Sequence, residues 1–303
     1  MEVSSYKSSQ CLLVQTSSGV CRRLKRGFES VFAKEDFDIL PEHRQWDHAI
    51  EFILGSEPKS SKVYPLSLVE QKKLDSFLKE NLYTRQIRLS KSPMAAPVFF
   101  IKKKDGSLWL VQDYRALNSM TVKNKYPLPL ISQLMSQLRG ARYFTKLDIC
   151  WGFNNICIKP RDEWKAAFWT NRGLFKPLVM FFEITNSLAT FQTIMNDIFR
   201  NLIAEGIVVV YLDDILIFTK TEEEHVQVVW RILQVLKENK LFLRPEKCKF
   251  YKQRIEYLGL VISENEVSMD PVKVAGVREW PTPENKTGIQ AFLGFMNFYW
   301  RFI

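Results

Sequence analysis

No Cys-x-x-Cys pair occurs among the five cysteines (Cys11, Cys21, Cys150, Cys157 and Cys248), and only three scattered histidines are present. An odd cysteine count without such a pair argues against a disulfide framework, and the histidines add no zinc site at the usual spacings. Reduced, mostly buried thiols are expected. No apolar run reaches the roughly 18–20 residues of a membrane span, and Met1-Glu2-Val3-Ser4-Ser5 lacks the basic and apolar regions of a secretory signal. An intracellular life, cytoplasmic or nuclear and away from membranes, follows as an expectation. No internal repeat is visible. What is present excludes disorder: 303 residues at 46% hydrophobic and 13% aromatic can fill one large core or two modest ones. Lys and Arg number 43 against 33 Asp and Glu, a net charge of +10 that favours a polyanionic partner without requiring one.

The first 30 residues are Ser-rich and weakly periodic, and read as a linker from something upstream. Residues 31–82 are irregular until Ser67, which with Glu70 has capping-box spacing. Leu74, Phe77 and Leu78 then predict a helix to about Asn81. A strand through Phe100, a basic turn at Lys102-Lys103-Lys104-Asp105-Gly106 and a strand over Ser107–Gln112 predict a hairpin. Ile131, Leu134, Met135 and Leu138 form a helical face closed by Gly140. Tyr143–Ile149 reads as a strand, Phe191–Leu202 as one amphipathic core helix closed by Gly206, and Ile207–Phe218 as two β runs with acids between them. Thr221 and Glu224 cap a further helix, Glu256–Ser263 reads as a strand, and a last helix begins near Lys286. Strands and helices without strict βαβ alternation predict an α+β fold, an antiparallel sheet backed by helices.

The informative feature is Val208-Val209-Val210-Tyr211-Leu212-Asp213-Asp214-Ile215-Leu216-Ile217-Phe218, where two carboxylates interrupt β-branched and aromatic text. A tight hairpin with Asp at its turn would explain the pair alone. Asp148 is a third acid in a short apolar strand, Phe144-Thr145-Lys146-Leu147-Asp148-Ile149. Three carboxylates on neighbouring strands would repel one another unless a strong cation source holds them. Two Mg²⁺ ions would supply it, with Mn²⁺ an acceptable substitute. Such a pair serves in-line phosphoryl transfer, so nucleotidyl transfer or phosphodiester cleavage is the implied chemistry.

Tyr211-Leu212-Asp213-Asp214 with Asp148 upstream resembles the reverse transcriptase domain of gypsy-type LTR retrotransposon polyproteins. Further matching text includes Leu40-Pro41-Glu42-His43-Arg44, Trp46-Asp47-His48, Asp113-Tyr114-Arg115-Ala116-Leu117-Asn118, Tyr126-Pro127-Leu128-Pro129, Ala189-Thr190-Phe191-Gln192, Tyr257-Leu258-Gly259 and Phe292-Leu293-Gly294. The resemblance implies a right-hand polymerase fold: fingers and palm over residues 83–262, after an N-terminal extension and first fingers helix at 31–82. The start of the thumb or connection would occupy 263–303. It implies RNA-directed DNA synthesis on a primed RNA or DNA template from deoxynucleoside triphosphates. Asp148 and Asp213 would ligate both metals, Asp214 would complete the triad, and the Ile149 carbonyl and Leu212 would border the substrate. Phe153 falls at the aromatic gate against a ribose 2′-hydroxyl, with core packing as the alternative. Arg115 would brace template or nucleotide. Lys102 and Lys103 would lie near the triphosphate, or form only an exposed charged turn. Leu258-Gly259 resembles the primer grip. Ribonuclease H and integrase, which a complete polyprotein would carry further on, are absent from the sequence.

Several positions depart from the family pattern. Trp109 stands where Arg is usual, Glu183 where Gly is usual, and Leu188 where Pro is usual; Cys150, Cys157, Trp169 and Trp300 stand where relatives often show Arg. An indole carries no charge to grip a triphosphate, and a carboxylate repels one. Each change can arise by one C-to-T transition, so a decayed copy with impaired catalysis, holding nucleic acid at most, is the alternative to an active polymerase. A structural remnant without a partner is a third reading.

Overall fold

The computed structural model describes residues 27–32, 40–58, 60–103, 106–129, 136–150, 152–264 and 266–299. Residues 1–26 of the expected linker, Lys104, Trp300 and residues 131–135 of the expected helical face lie outside them, as do Cys11 and Cys21. Helix α1 (Leu68–Tyr83) opens on the expected capping box: the Ser67 hydroxyl accepts from the Glu70 amide, and the Glu70 carboxylate accepts from the Ser67 amide. Strands β1 (Ile87–Leu89), β2 (Ala96–Lys102), β3 (Leu108–Gln112), β5 (Phe168–Thr170) and β6 (Gly173–Pro177) form one sheet in the order β1-β6-β5-β2-β3. It is not wholly antiparallel, because β2 runs parallel to β5. Helix α2 (Arg115–Met120) follows β3.

The second sheet runs β7-β8-β4-β9 and is antiparallel throughout: β4 (Tyr143–Asp148), β7 (Val208–Tyr211), β8 (Asp214–Thr219) and β9 (Lys249–Lys252). Both of its faces are covered, which explains text apolar at successive positions instead of alternate ones. Leu147, Ile215 and Ile217 pack toward helices α3 (Ser187–Ile198), α4 (Arg200–Ala204) and α5 (Glu222–Glu238), while Phe144, Leu216 and Phe218 pack toward Ile255, Tyr257 and Ile262. Two expectations need correction. The Phe191–Leu202 stripe is two helices joined at Phe199, whose fully buried ring and non-helical backbone turn the chain there. The stretch from Glu256 to Ser263 is a hairpin of β10 (Arg254–Tyr257) and β11 (Leu260–Ser263), with β12 (Val267–Met269) beyond; Leu258 and Gly259 form its two-residue turn, both at positive φ. Helices α6 (Pro271–Arg278) and α7 (Lys286–Tyr299) follow, α7 starting where expected. Among the described residues no helix is long and apolar enough to cross a membrane.

Beneath β4 lies His225, fully buried. The Thr219 hydroxyl donates to the Thr221 carbonyl, so it accepts from His225 Nδ1 at 2.9 Å; Thr145 accepts from the Tyr251 amide and donates to Nε2 at 2.8 Å. That network fits the neutral Nδ1–H tautomer. Burial pushes His225 down to about 4, and likewise His48, the latter against an opposing pull from Asp162. The unfolded chain protonates both near pH 6.5, the folded protein only near pH 4. Stability is therefore full above about pH 6.5 and falls as pH drops toward 4, by up to about 3 kcal/mol per histidine. Urea unfolding across that range checks the slope, and His225→Asn should reduce it by about half, leaving the His48 share.

Candidate active site

The β4–β8 pairing runs Tyr143↔Thr219 through Leu147↔Ile215 and puts Asp148 directly opposite Asp214. Period-two alternation places both on the face shared by Phe144, Leu216 and Phe218, the side covered by β10–β12. Asp213 sits in the two-residue turn between Tyr211 and Asp214, and its carbonyl accepts from the Ile149 amide at 2.9 Å. The three acids expected to meet are thus held on adjacent strand ends and one turn. Leu212, beside Asp213, has φ +52°, a left-handed conformation that costs a non-glycine residue about 1–2 kcal/mol. Gln192 of α3, fully buried, holds it there: its Oε1 accepts from the Leu212 amide at 2.8 Å, and its Nε2 donates to the Val210 carbonyl at 3.1 Å.

Three cations surround the acids. Lys146 Nζ lies 2.8 Å from Asp214 Oδ1, Arg244 Nε 3.6 Å from Asp148 Oδ1 and Lys247 Nζ 3.5 Å from Asp148 Oδ2. None satisfies its carboxylate fully: Asp148 Oδ1 and Asp214 Oδ1 are buried and receive no hydrogen bond among the described residues, the close Lys146 contact being an ion pair off hydrogen-bond alignment. Burial first, then the charges of Asp214 and Asp148, push the Asp213 carboxyl above its ordinary value, against its own backbone amide and Arg244. The unpaired buried oxygens of Asp148 and Asp214 are donors suited to hard divalent ions, although among the described residues the carboxylates of Asp148, Asp213 and Asp214 do not all come within 4.8 Å of one another. Tyr257 links the C-terminal hairpin to this place, its buried hydroxyl donating to the Asp214 carbonyl at 3.2 Å.

Residues 101–262 match the family described as "Reverse transcriptase (RNA-dependent DNA polymerase)". The chain belongs to the reverse transcriptase family. It is 38% identical over 277 residues, 91% of its length, to the Transposon Tf2-3 and Tf2-4 polyproteins of Schizosaccharomyces pombe (strain 972), and spans 21% of each. In fold it matches the foamy viral protease-reverse transcriptase in complex with dsDNA at TM-score 0.81, 19% identity, covering 94% of this chain and 60% of that one. The same viral protein in complex with RNA/DNA hybrid matches at TM-score 0.74 and 19% identity, covering 97% and 42%. The architecture is therefore the right-hand polymerase fold, the antiparallel sheet being its palm.

Around this reverse transcriptase palm the remaining sequence candidates take definite places. Phe153 lies in a short 3₁₀ turn (Phe153–Asn155), edge-on to Phe182 at 5.1 Å and tilted over Phe191 at 5.0 Å between ring centroids. It packs against the core and remains half-buried. Its neighbour Gly152 is required: a Cβ there would meet Phe191 Cζ at 2.6 Å. Gly152→Ala should lower unfolding stability by about 1–3 kcal/mol in urea titration, because the buried Phe191 ring has little space to yield. The Arg115 guanidinium is exposed and bidentate on Asp113, with Nε at 2.8 Å and Nη2 at 2.7 Å from its carboxylate oxygens. Leu258 and Gly259 cap the Tyr257 hairpin.

Two departures meet. Lys103 Nζ stands 4.0 Å over the Trp109 ring, and the Trp109 indole lies close enough to the Glu183 carboxylate to favour its charged form. Burial nevertheless pushes Glu183 above the ordinary carboxylate range. The Glu183 carbonyl accepts from Asn118 Nδ2 at 2.9 Å while Asn118 Oδ1 accepts from the Thr185 amide at 2.7 Å, tying α2 to this loop. Leu188 lies in the first turn of α3, a place that accepts Leu or Pro alike. Lys102 ends β2 with its side chain exposed, and the Trp169 Nε1 is buried with no hydrogen-bond partner among the described residues. Sequence reasoning quoted Gln192, Tyr257 and Lys146 within motifs without giving them a role, and passed over Arg244 and Lys247. A polar residue inside the apolar stripe of α3 was the available signal for Gln192; the others depend on contacts between distant segments.

Proposed function

We propose that this chain is the fingers and palm of a gypsy-type LTR retrotransposon reverse transcriptase, an RNA-directed DNA polymerase extending a primer on RNA or DNA from deoxynucleoside triphosphates. The observation that carries the proposal is the cross-strand register of Asp148 with Asp214, beside Asp213 in the turn. In this reading residues 1–30 are a linker, 31–82 the extension and first fingers helix, 83–262 the fingers and palm, and 263–303 the start of the thumb or connection. Ribonuclease H and integrase belong to the rest of the polyprotein.

Asp148 and Asp213 would hold two Mg²⁺ or Mn²⁺ ions, with Asp214 and the Ile149 carbonyl completing the set. Bound ions would supply activation of the primer 3′-hydroxyl and stabilisation of the oxygen leaving with pyrophosphate. The chain's own groups do the rest. Gln192 fixes the strained turn so that Asp213 need not reorganise during the reaction. Lys146, Arg244 and Lys247 lower the cost of gathering three acids before metal arrives. The Phe153 ring, braced by Phe182 and Phe191, would exclude a ribose 2′-hydroxyl. The Tyr257 hydroxyl couples the Leu258-Gly259 turn, as primer grip, to the acid strand. Arg115, Lys102 and Lys103 would approach template or triphosphate. Primer extension on poly(rA)/oligo(dT) with Mg²⁺ is the test; extension that survives Asp213→Ala overturns the assignment.

A further inference from the structure

A second cluster of metal-ligating side chains lies apart from the acid triad and is built from softer donors. His43, Asp47 and Cys157 bring one donor atom each to within 4.8 Å of one another. The fold determines the meeting. The His48 amide donates to the Cys157 carbonyl at 2.8 Å and the Lys159 amide to the His48 carbonyl at 2.8 Å, so the segment before His48 lies along the strand-like segment at Cys157. The Arg44 amide donates to Asp47 Oδ1 at 3.0 Å, closing a turn that sets His43 beside Asp47; His43 Nδ1 is 2.5 Å from Asp47 Oδ2. The Cys157 thiol is 1% exposed and donates to the Pro41 carbonyl at 3.1 Å, in the same segment. Asp47 and Cys157, together with Arg44 but without His43, line an adjoining cavity of about 20 Å³, roomy enough for one water-sized occupant.

We propose that His43, Asp47 and Cys157 form a binding site for one zinc-class divalent cation, pinning the segment around residues 41–48 to the palm. A sulfur, nitrogen and oxygen donor set suits Zn²⁺, whereas Mg²⁺ takes oxygen alone. Bond lengths of about 2.0–2.3 Å put tetrahedral donors roughly 3.3–3.8 Å apart, so His43 and Asp47 separate by about 1 Å on binding and Cys157 closes in. His43 has that freedom, since its side chain is 56% exposed. Water completes the fourth position. Binding exchanges the Cys157 S–H bond for an S–metal bond and releases the thiol proton to solvent, giving up the hydrogen bond to Pro41. Of the neighbouring cations, Lys240 is paired with Glu42 at 2.8 Å, while Arg44 donates to the Asn239 carbonyl at 3.0 Å and keeps its charge beside the cavity.

The test is titration of the 303-residue protein with Co²⁺, then displacement by Zn²⁺. One equivalent of Co²⁺ should produce a near-ultraviolet thiolate-to-metal absorption band that Mg²⁺ does not produce and Zn²⁺ removes. An ion on the oxygen-only triad gives no such band, so the two sites are told apart. Cys157→Ser should abolish the band, and His43→Asn should weaken affinity at least about 100-fold, more than outer partners of a metal ligand usually contribute. Absence of the band, or its persistence in Cys157→Ser, where another thiol would be the ligand, overturns the proposal. His43 is exposed, so its replacement should leave folding intact; unchanged affinity in His43→Asn overturns it as well.

Discussion

Asp213→Asn should eliminate primer extension, by at least about a thousandfold or roughly 4 kcal/mol of barrier, and yet raise the melting temperature of the protein in EDTA. The two effects have one source. Burial and the charges of Asp214 and Asp148 hold the Asp213 carboxyl above its ordinary value, so its ionised form costs stability at neutral pH. That cost is recovered as pH falls through the raised value, because the folded state then binds the proton more tightly than the unfolded chain. An amide of the same shape removes the repulsion and keeps the turn, whose geometry depends on the Leu212 amide and Gln192, not on the Asp213 side chain. Divalent ions should invert the ranking, since the wild-type protein gains more from binding them than a variant that has lost one of the three carboxylates. Melting curves in EDTA and in Mg²⁺, beside extension assays, read all three. A variant that melts lower in EDTA would show that Asp213 is satisfied by protein groups and needs no metal.

The acid site was legible because carboxylates inside β-branched text are conspicuous, and because a β-strand has only two faces. Once Tyr143–Asp148 and Asp214–Thr219 are paired, Asp148 and Asp214 share a face by alternation alone. Features decided by tertiary contact were not legible. Leu258 takes φ +50° in a turn where sequence suggests a continuing strand, and Phe199 breaks an otherwise unbroken apolar stripe because its ring must be buried. His43, Asp47 and Cys157 carry no usual metal spacing, since more than a hundred residues separate Asp47 from Cys157. The meeting of Trp109 with Glu183 was hidden likewise, each having been read as an independent departure.

That meeting sets the second large effect. Trp109→Arg alone should improve nucleotide use little, because the introduced guanidinium would pair with the Glu183 carboxylate that the indole now faces. Glu183→Gly alone removes a repulsive charge and leaves no cation at position 109, with Lys103 still stacked on the indole at 4.0 Å. Only the double variant frees a guanidinium for the triphosphate. Its KM for deoxynucleotide should fall about tenfold to a hundredfold, the worth of one or two charged hydrogen bonds, with a coupling of about 1–3 kcal/mol between the sites. Glu183 also protonates more readily than an ordinary carboxylate, because burial disfavours its charge. The wild-type penalty should therefore shrink as pH falls toward the raised value, while the double variant shows no such trend. Steady-state kinetics of the four proteins across pH decide it: additive single effects would mean that Trp109 and Glu183 act separately on the substrate, and a flat wild-type profile would remove the Glu183 charge from the account.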